Sequence, residues 1–117
     1  MRLRRFLIIL ACMASASAFG ATGSVVAKVT SILTDDSNYG GCMAYLSVNP
    51  ATVLPACGGS WITFDCLASL PTSTKSTNLN KYSAAQLAYV TNGNLFVSFN
   101  DAKKINGFCY AERVDNR

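Results

Sequence analysis

Four cysteines, Cys42, Cys57, Cys66 and Cys109, constrain this chain more than any other feature. They are separated by 14, 8 and 42 residues, so no C-x₂₋₄-C pair exists to start a zinc site. No histidine is present to activate a thiol or to ligate a metal. The fifth cysteine, Cys12, lies in the N-terminal segment expected to be removed, and the even number left in a short chain reads as a disulfide framework if the chain is exported. Two bridges are expected, in one of three connectivities.

The N-terminus supplies the export argument. Met1 to Arg5, "MRLRR", is basic, "FLIILACM" is apolar but too short to span a bilayer, and "ASASAFGA" is built of small residues. This is the order of a secretory leader cleaved after Ala16-Ser17-Ala18, leaving residues 19–117 as one domain. "ILAC", ending at Cys12, loosely resembles a lipoprotein box, but the apolar run before it is short. A secreted or periplasmic location follows, with no membrane span in the mature chain.

The full chain carries a formal charge of +4, and Arg2, Arg4 and Arg5 leave with the leader. Seven basic and six acidic residues remain, a net charge of +1. Nucleic-acid binding, which needs a basic stripe, is therefore not expected.

Ser24–Leu33 and Cys42–Val48 alternate or are β-branched and read as strands, and Asn49-Pro50 stops the second. Ala51–Gly59 reads as loop. Ser60–Leu67 reads as a third strand with Trp61, Thr63 and Asp65 on one face. Residues 80–91 change to a helical period, with Ala84, Leu87, Ala88 and Thr91 on one side, Asn78 or Asn80 as N-cap and Asn92-Gly93 as the stop. Asn94–Phe99 and Phe108–Val114 read as the last strands, joined by a hairpin loop over 101–106 in which Asn106-Gly107 supplies the positive-φ turn and Lys103 and Lys104 are left solvated. Glu112 and Arg113 fall on opposite faces.

The expected fold is mainly β (α+β): a small five-stranded, OB-fold-like Greek-key barrel with one helix between strands 3 and 4 and two disulfides. An α+β sheet with one helix on a face is the rival. In the barrel Cys42 and Cys57 flank the loop between strands 2 and 3, and strand 3 neighbours strand 5. Cys42–Cys57 with Cys66–Cys109 is therefore the preferred pairing.

Chemistry is sparse. The absence of histidine removes Ser-His-Asp and Cys-His catalysis, and no phosphate or calcium loop is present. Asp35-Asp36 reads as turn chemistry. Asp65 reads as facing out or bonded to a turn amide, with a half-buried carboxyl as the other reading. An aspartate-based hydrolase is the one enzymatic reading left, and the chain is expected not to be an enzyme, with no cofactor and no metal. Tyr39, Tyr45, Trp61, Tyr82, Tyr89, Phe96 and Tyr110 are many aromatics for a domain of this size. They serve packing or binding. Tyr45 and Trp61, on strands 2 and 3, are the candidate ligand-binding residues, because an OB barrel commonly binds there.

The run "GCMAYLSVNPATVLPAC", a following tryptophan strand, and "SAAQLAYVTNGNLFVSF" resemble the B subunit of subtilase cytotoxin and its bacterial relatives. Trp61–Cys66 and Asn100–Asp115 also resemble small exported bacterial proteins ending in a "DD-x-K-K-x-N-G-x-C" motif. The resemblance implies an OB-fold and, as in the toxin subunits, a pentamer that binds host sialoglycans. No binding residue is carried over from it. The expected function is an exported binding module for a glycan or a protein partner, monomeric or homo-oligomeric. The alternative is an inhibitor or immunity-type protein without glycan binding.

Overall fold

The computed structural model describes residues 20–117; the expected leader and its cleavage site lie outside the described residues. The elements are β1 (Thr22–Thr34), β2 (Cys42–Leu46), a 3₁₀ turn (Pro50–Thr52), β3 (Trp61–Thr63), α1 (Lys75–Thr91), β4 (Asn94–Ile105) and β5 (Phe108–Asn116). The sheet order is β1-β2-β3-β5-β4, and β4 pairs back to β1. All pairs are antiparallel except β3 with β5, which is parallel.

β1 makes this closure possible because two neighbours share its length. Residues 22–28 pair with β4 and residues 29–34 with β2, with a register irregularity between Val29 and Ser31. Such a bulge bends a strand and raises its twist. Alternation sends Val25, Ala27 and Val29 of β1 inward against Leu95, Val97 and Phe99 of β4, with Ala44, Leu46, Ile62 and Phe64 completing the core. Gly23 is required opposite Phe99, since a Cβ there would lie 2.7 Å from the Val53 side chain and 3.3 Å from the Phe99 ring.

α1 starts earlier and turns a different face inward than the apolar period suggests. Its N-cap is Thr74, and Asn78, Tyr82, Ala85 and Ala88 are buried while Leu87 is exposed. Tyr82 can go inward because its hydroxyl reaches Thr34 Oγ1 at 3.0 Å and the Leu33 carbonyl at 3.3 Å. The two alanines let the helix approach the sheet. The expected C-terminal stop is present: Asn92 is left-handed at φ 53°, and Gly93 N donates to the Ala88 carbonyl.

Two further expectations change and one is met. β3 has three residues rather than eight, because Asp65 adopts φ 54° and reverses the chain. The last hairpin turns on Asn106-Gly107 as expected, at φ 55° and 86°, the positive-φ pair of a type I′ turn. Asp101–Lys103 lie not in a loop but in an irregularity of β4, between Asn100 paired with Tyr110 and Lys104 paired with Cys109. There Asp101 exchanges bonds with Ala21 instead, accepting from its N–H and donating to its carbonyl.

The disulfides are Cys42–Cys66 and Cys57–Cys109, with Cα separations of 5.7 and 5.0 Å, not the pairing expected from strand order. The reversal at Asp65 brings Cys66 back to the start of β2, where Phe64 N donates to the Cys42 carbonyl. In a parallel pair the two strands begin at the same end. Cys109, early in β5, therefore meets the segment leading into β3, where Gly58 packs so close that a Cβ would lie 2.5 Å from the Gly107 carbonyl. Among the described residues, no helix is long and apolar enough to cross a membrane, and two disulfides fit an oxidising, secreted or periplasmic setting.

Peptide mapping without reduction should recover the Cys42–Cys66 and Cys57–Cys109 peptides; a Cys42–Cys57 peptide would contradict the reversal at Asp65. Replacing both Cys57 and Cys109 by serine should cost about 4 kcal/mol in denaturant unfolding, and the Cys42/Cys66 pair about 3.5 kcal/mol, by loop-closure entropy.

Candidate functional site: an aromatic cleft and a polar pocket

The alternation that buries Ala44 and Ile62 turns their neighbours to the outer face. Tyr45 opposes Trp61 across the β2–β3 pair, Met43 opposes Thr63, and Leu33 of β1 opposes Met43. The structure thus brings the two candidate binding residues together: the rings of Tyr45 and Trp61 meet edge to face, 5.2 Å apart at 80°. Tyr45 is 40% exposed and Trp61 half-buried.

A second aromatic pair flanks the first. Tyr39 and Phe108 lie 5.9 Å apart at 68°. Tyr39 sits on the β1–β2 loop, whose shape is held from several sides. Asp35 accepts from the backbone N–H groups of Asp36 and Asn38, which makes it turn chemistry as expected. Thr63 Oγ1 donates to the Tyr39 carbonyl at 2.7 Å, and Asn106 Nδ2 to that of Asn38 at 3.0 Å. Leu33, Tyr39, Met43, Trp61 and Phe108 enclose an open apolar cleft of about 130 Å³. Pockets that engulf whole small ligands are larger, roughly 300–1,000 Å³. The cleft suits one ring or one side chain.

Sequence reasoning missed a second site. Beyond Phe108, β5 turns Tyr110 and Glu112 to the same face, while Cys109 and Ala111 join the core. With Thr72, Ser73, Lys81 and Lys103 they line a polar pocket of about 210 Å³. Lys81 Nζ donates to Tyr110 Oη (2.9 Å) and to the Ala111 carbonyl (3.1 Å). Tyr110 Oη donates to Asn78 Oδ1 (2.5 Å), and Asn78 Nδ2 to the Asp65 carbonyl (2.7 Å). Burial pushes the Lys81 ammonium below its usual pKa; Glu112 opposes this and Lys103 adds to it. Burial, then Asp65, pushes the Tyr110 phenol up. The only signal in the sequence was the chain's single glutamate alternating with Tyr110 after Cys109.

One expectation is met and another corrected here. Asp65 bonds turn amides, one of its expected readings, but it is fully buried: its carboxylate accepts from Ser69 N, Ser69 Oγ, Leu70 N and Ser73 Oγ at 2.7–3.0 Å. With four donors its oxygens are occupied, so it organises the turn. Lys103 and Lys104 are not merely solvated: Lys103 Nζ lies 3.1 Å from Glu112 Oε1, and Lys104 Nζ donates to the Ala56 carbonyl at 3.4 Å.

Among the described residues no group of three or more histidine, cysteine, aspartate or glutamate side chains is placed to hold a metal. The fold and cleft define a mainly-β, disulfide-bonded domain with an aromatic outer face. Compared with known families, curated proteins and solved structures, the chain matches none.

Because the folded-state pKa of Lys81 lies below the usual 10.5, the unfolded chain binds more protons between the two values. Stability should therefore rise with pH across that window, and this group should contribute no slope below it. Lysine ε-methylene NMR should show Lys81 titrating below the usual lysine value. Glu112→Gln should lower that midpoint further and Lys103→Met should raise it; a midpoint unmoved by both would refute the arrangement of the pocket.

Proposed function

We propose that this protein is an exported, non-enzymatic binding module with an OB-fold-like barrel, which recognises a glycan through its aromatic cleft. One observation carries the reading: the Tyr45–Trp61 pair stands edge to face and partly open on the outer surface of β2 and β3. Rings turned outward beside an apolar cleft offer a face for the C–H side of a sugar, and buried packing would leave neither ring exposed. The ring of strand pairings β1-β2-β3-β5-β4, with the helix between β3 and β4, supports the OB-like reading. The absence of histidine and the saturation of Asp65 support a binding role over hydrolysis.

A protein partner, as for an inhibitor or immunity-type protein, is the second reading. It is favoured by Leu79, Leu87 and Val90, which α1 exposes to 42%, 53% and 74%. The same surface would serve a homo-oligomer, and a pentamer is the toxin-like case.

Glycan-array binding should be accompanied by a change in the fluorescence of Trp61, the chain's one tryptophan. Trp61→Ala and Tyr45→Ala should each weaken binding by about tenfold or more, as loss of a stacked aromatic anchor does at interfaces. Binding unchanged in both variants would place the site elsewhere. Native mass spectrometry addresses assembly separately: a five-fold species is the toxin-like outcome, and a monomer at all concentrations would remove oligomerisation from the proposal.

A further inference from the structure

We propose that the polar pocket of Thr72, Ser73, Lys81, Lys103, Tyr110 and Glu112 is a second subsite, built to take adjacent hydroxyl groups of a saccharide.

The pocket's own hydrogen bonding defines the ligand. Glu112 Oε1 is shielded from solvent yet receives no hydrogen bond among the described residues; Lys103 is near enough for ion pairing but not aligned to donate. A buried acceptor without a donor is rare enough in native proteins to require a reason. An ammonium has three donors. Lys81 gives two of them to Tyr110 and Ala111, and the third is unassigned. Glu112 Oε1 therefore has an ion-pair partner but no aligned donor, and Lys81 keeps one N–H to give. A hydroxyl supplies both, giving its proton to a carboxylate while accepting from an ammonium. A diol does so at two adjacent points, and Thr72 and Ser73 add hydroxyls at the edge.

Charge argues the same way. Lys81 and Lys103 are balanced by Glu112 and by Asp65, which lies behind Ser73 and accepts from its hydroxyl at 3.0 Å. Nothing in that balance selects a bare anion or cation. The pocket's edge is also held in a costly shape. Thr72 is β-branched and sits at φ 68°, a left-handed conformation such residues rarely adopt. Strain of this kind persists only where surrounding bonds impose it, and it concentrates at ligand sites. Here Asp65 imposes it through Ser69, Leu70 and Ser73.

Position joins the pocket to the cleft. Phe108, Tyr110 and Glu112 are alternate residues of β5, with Phe108 in the cleft and the other two in the pocket. Four strand residues span about 13 Å. A short oligosaccharide could lay one ring on Trp61 and Phe108 and place the hydroxyls of another at Glu112. The class of ligand rests on the cleft reading, but the two sites are read out separately.

The test is an amide-NMR titration of the disulfide-intact protein with glucose, galactose, mannose and N-acetylglucosamine, with inorganic phosphate as the charged control. One or more sugars should shift the amides of Ser73, Lys81 and Glu112. Trp61→Ala should leave those shifts in place. Glu112→Gln should weaken the response at the pocket about tenfold, the scale of losing one charge-assisted hydrogen bond. Should Glu112→Gln not give a dispersed, folded spectrum, Lys81→Met takes its place with the same expectation. Sugar shifts confined to Tyr45 and Trp61 overturn the second subsite and leave the cleft standing. Shifts at the pocket that the substitution does not weaken, or that only phosphate produces, overturn the diol assignment. No shift with any sugar overturns both readings.

Discussion

The buried carboxylate of Asp65 is the interaction on which the rest depends. A charged group with no solvent exposure is tolerated only when hydrogen bonds replace its water, and four donors do so here. All four donors belong to the turn over residues 69–73, so the charge fixes a segment that could otherwise take many shapes. The same residue ends β3 by turning left-handed, and its carbonyl anchors Asn78 inside α1. Strand end, turn and helix start are thus set by one side chain and its backbone.

From there the order spreads in two directions. Through Cys66 it reaches Cys42 and the start of β2, which fixes the outward row of Met43 and Tyr45 against Thr63 and Trp61. Through Asn78 it reaches Tyr110, Lys81 and β5. The aromatic cleft and the polar pocket are the two ends of this one scaffold. Their chemistry differs because apolar and aromatic side chains line the cleft, whereas Lys81, Lys103, Tyr110 and Glu112 line the pocket.

Much of the architecture was legible in the residues. Alternation in β1 and β4, the stop at Asn92-Gly93 and the Asn106-Gly107 turn gave the element order, and the cysteine count gave the two-disulfide framework. The errors concern residues whose place is set outside their own segment. Asn78 and Tyr82 are buried because each finds partners far along the chain, at Asp65 and Tyr110 and at Leu33 and Thr34, and local pattern carries no record of such partners. The disulfide pairing failed because it depends on where Asp65 turns the chain. Tyr45 and Trp61 were found because strand alternation alone places them. Lys81, Thr72 and Glu112 come from three separate elements, and only the fold assembles them.

The route by which β1 returns to β4 also bears on how the chain reaches this state. The pairing of Thr22 with Asn100 and the parallel contact of Thr63 with Tyr110 join segments distant in sequence. Topologies dominated by such contacts have high contact order and fold slowly, because loop entropy is lost before the contacts form. The β4–β5 hairpin, closed by a two-residue turn, is the most local strand pair. It presents Cys109 early, while Cys57 and β1 are still unplaced. The Cys57–Cys109 bridge thus spans two segments that only the non-local β3–β5 contact brings together, so the bridge locks the slowest kind of pairing in the sheet.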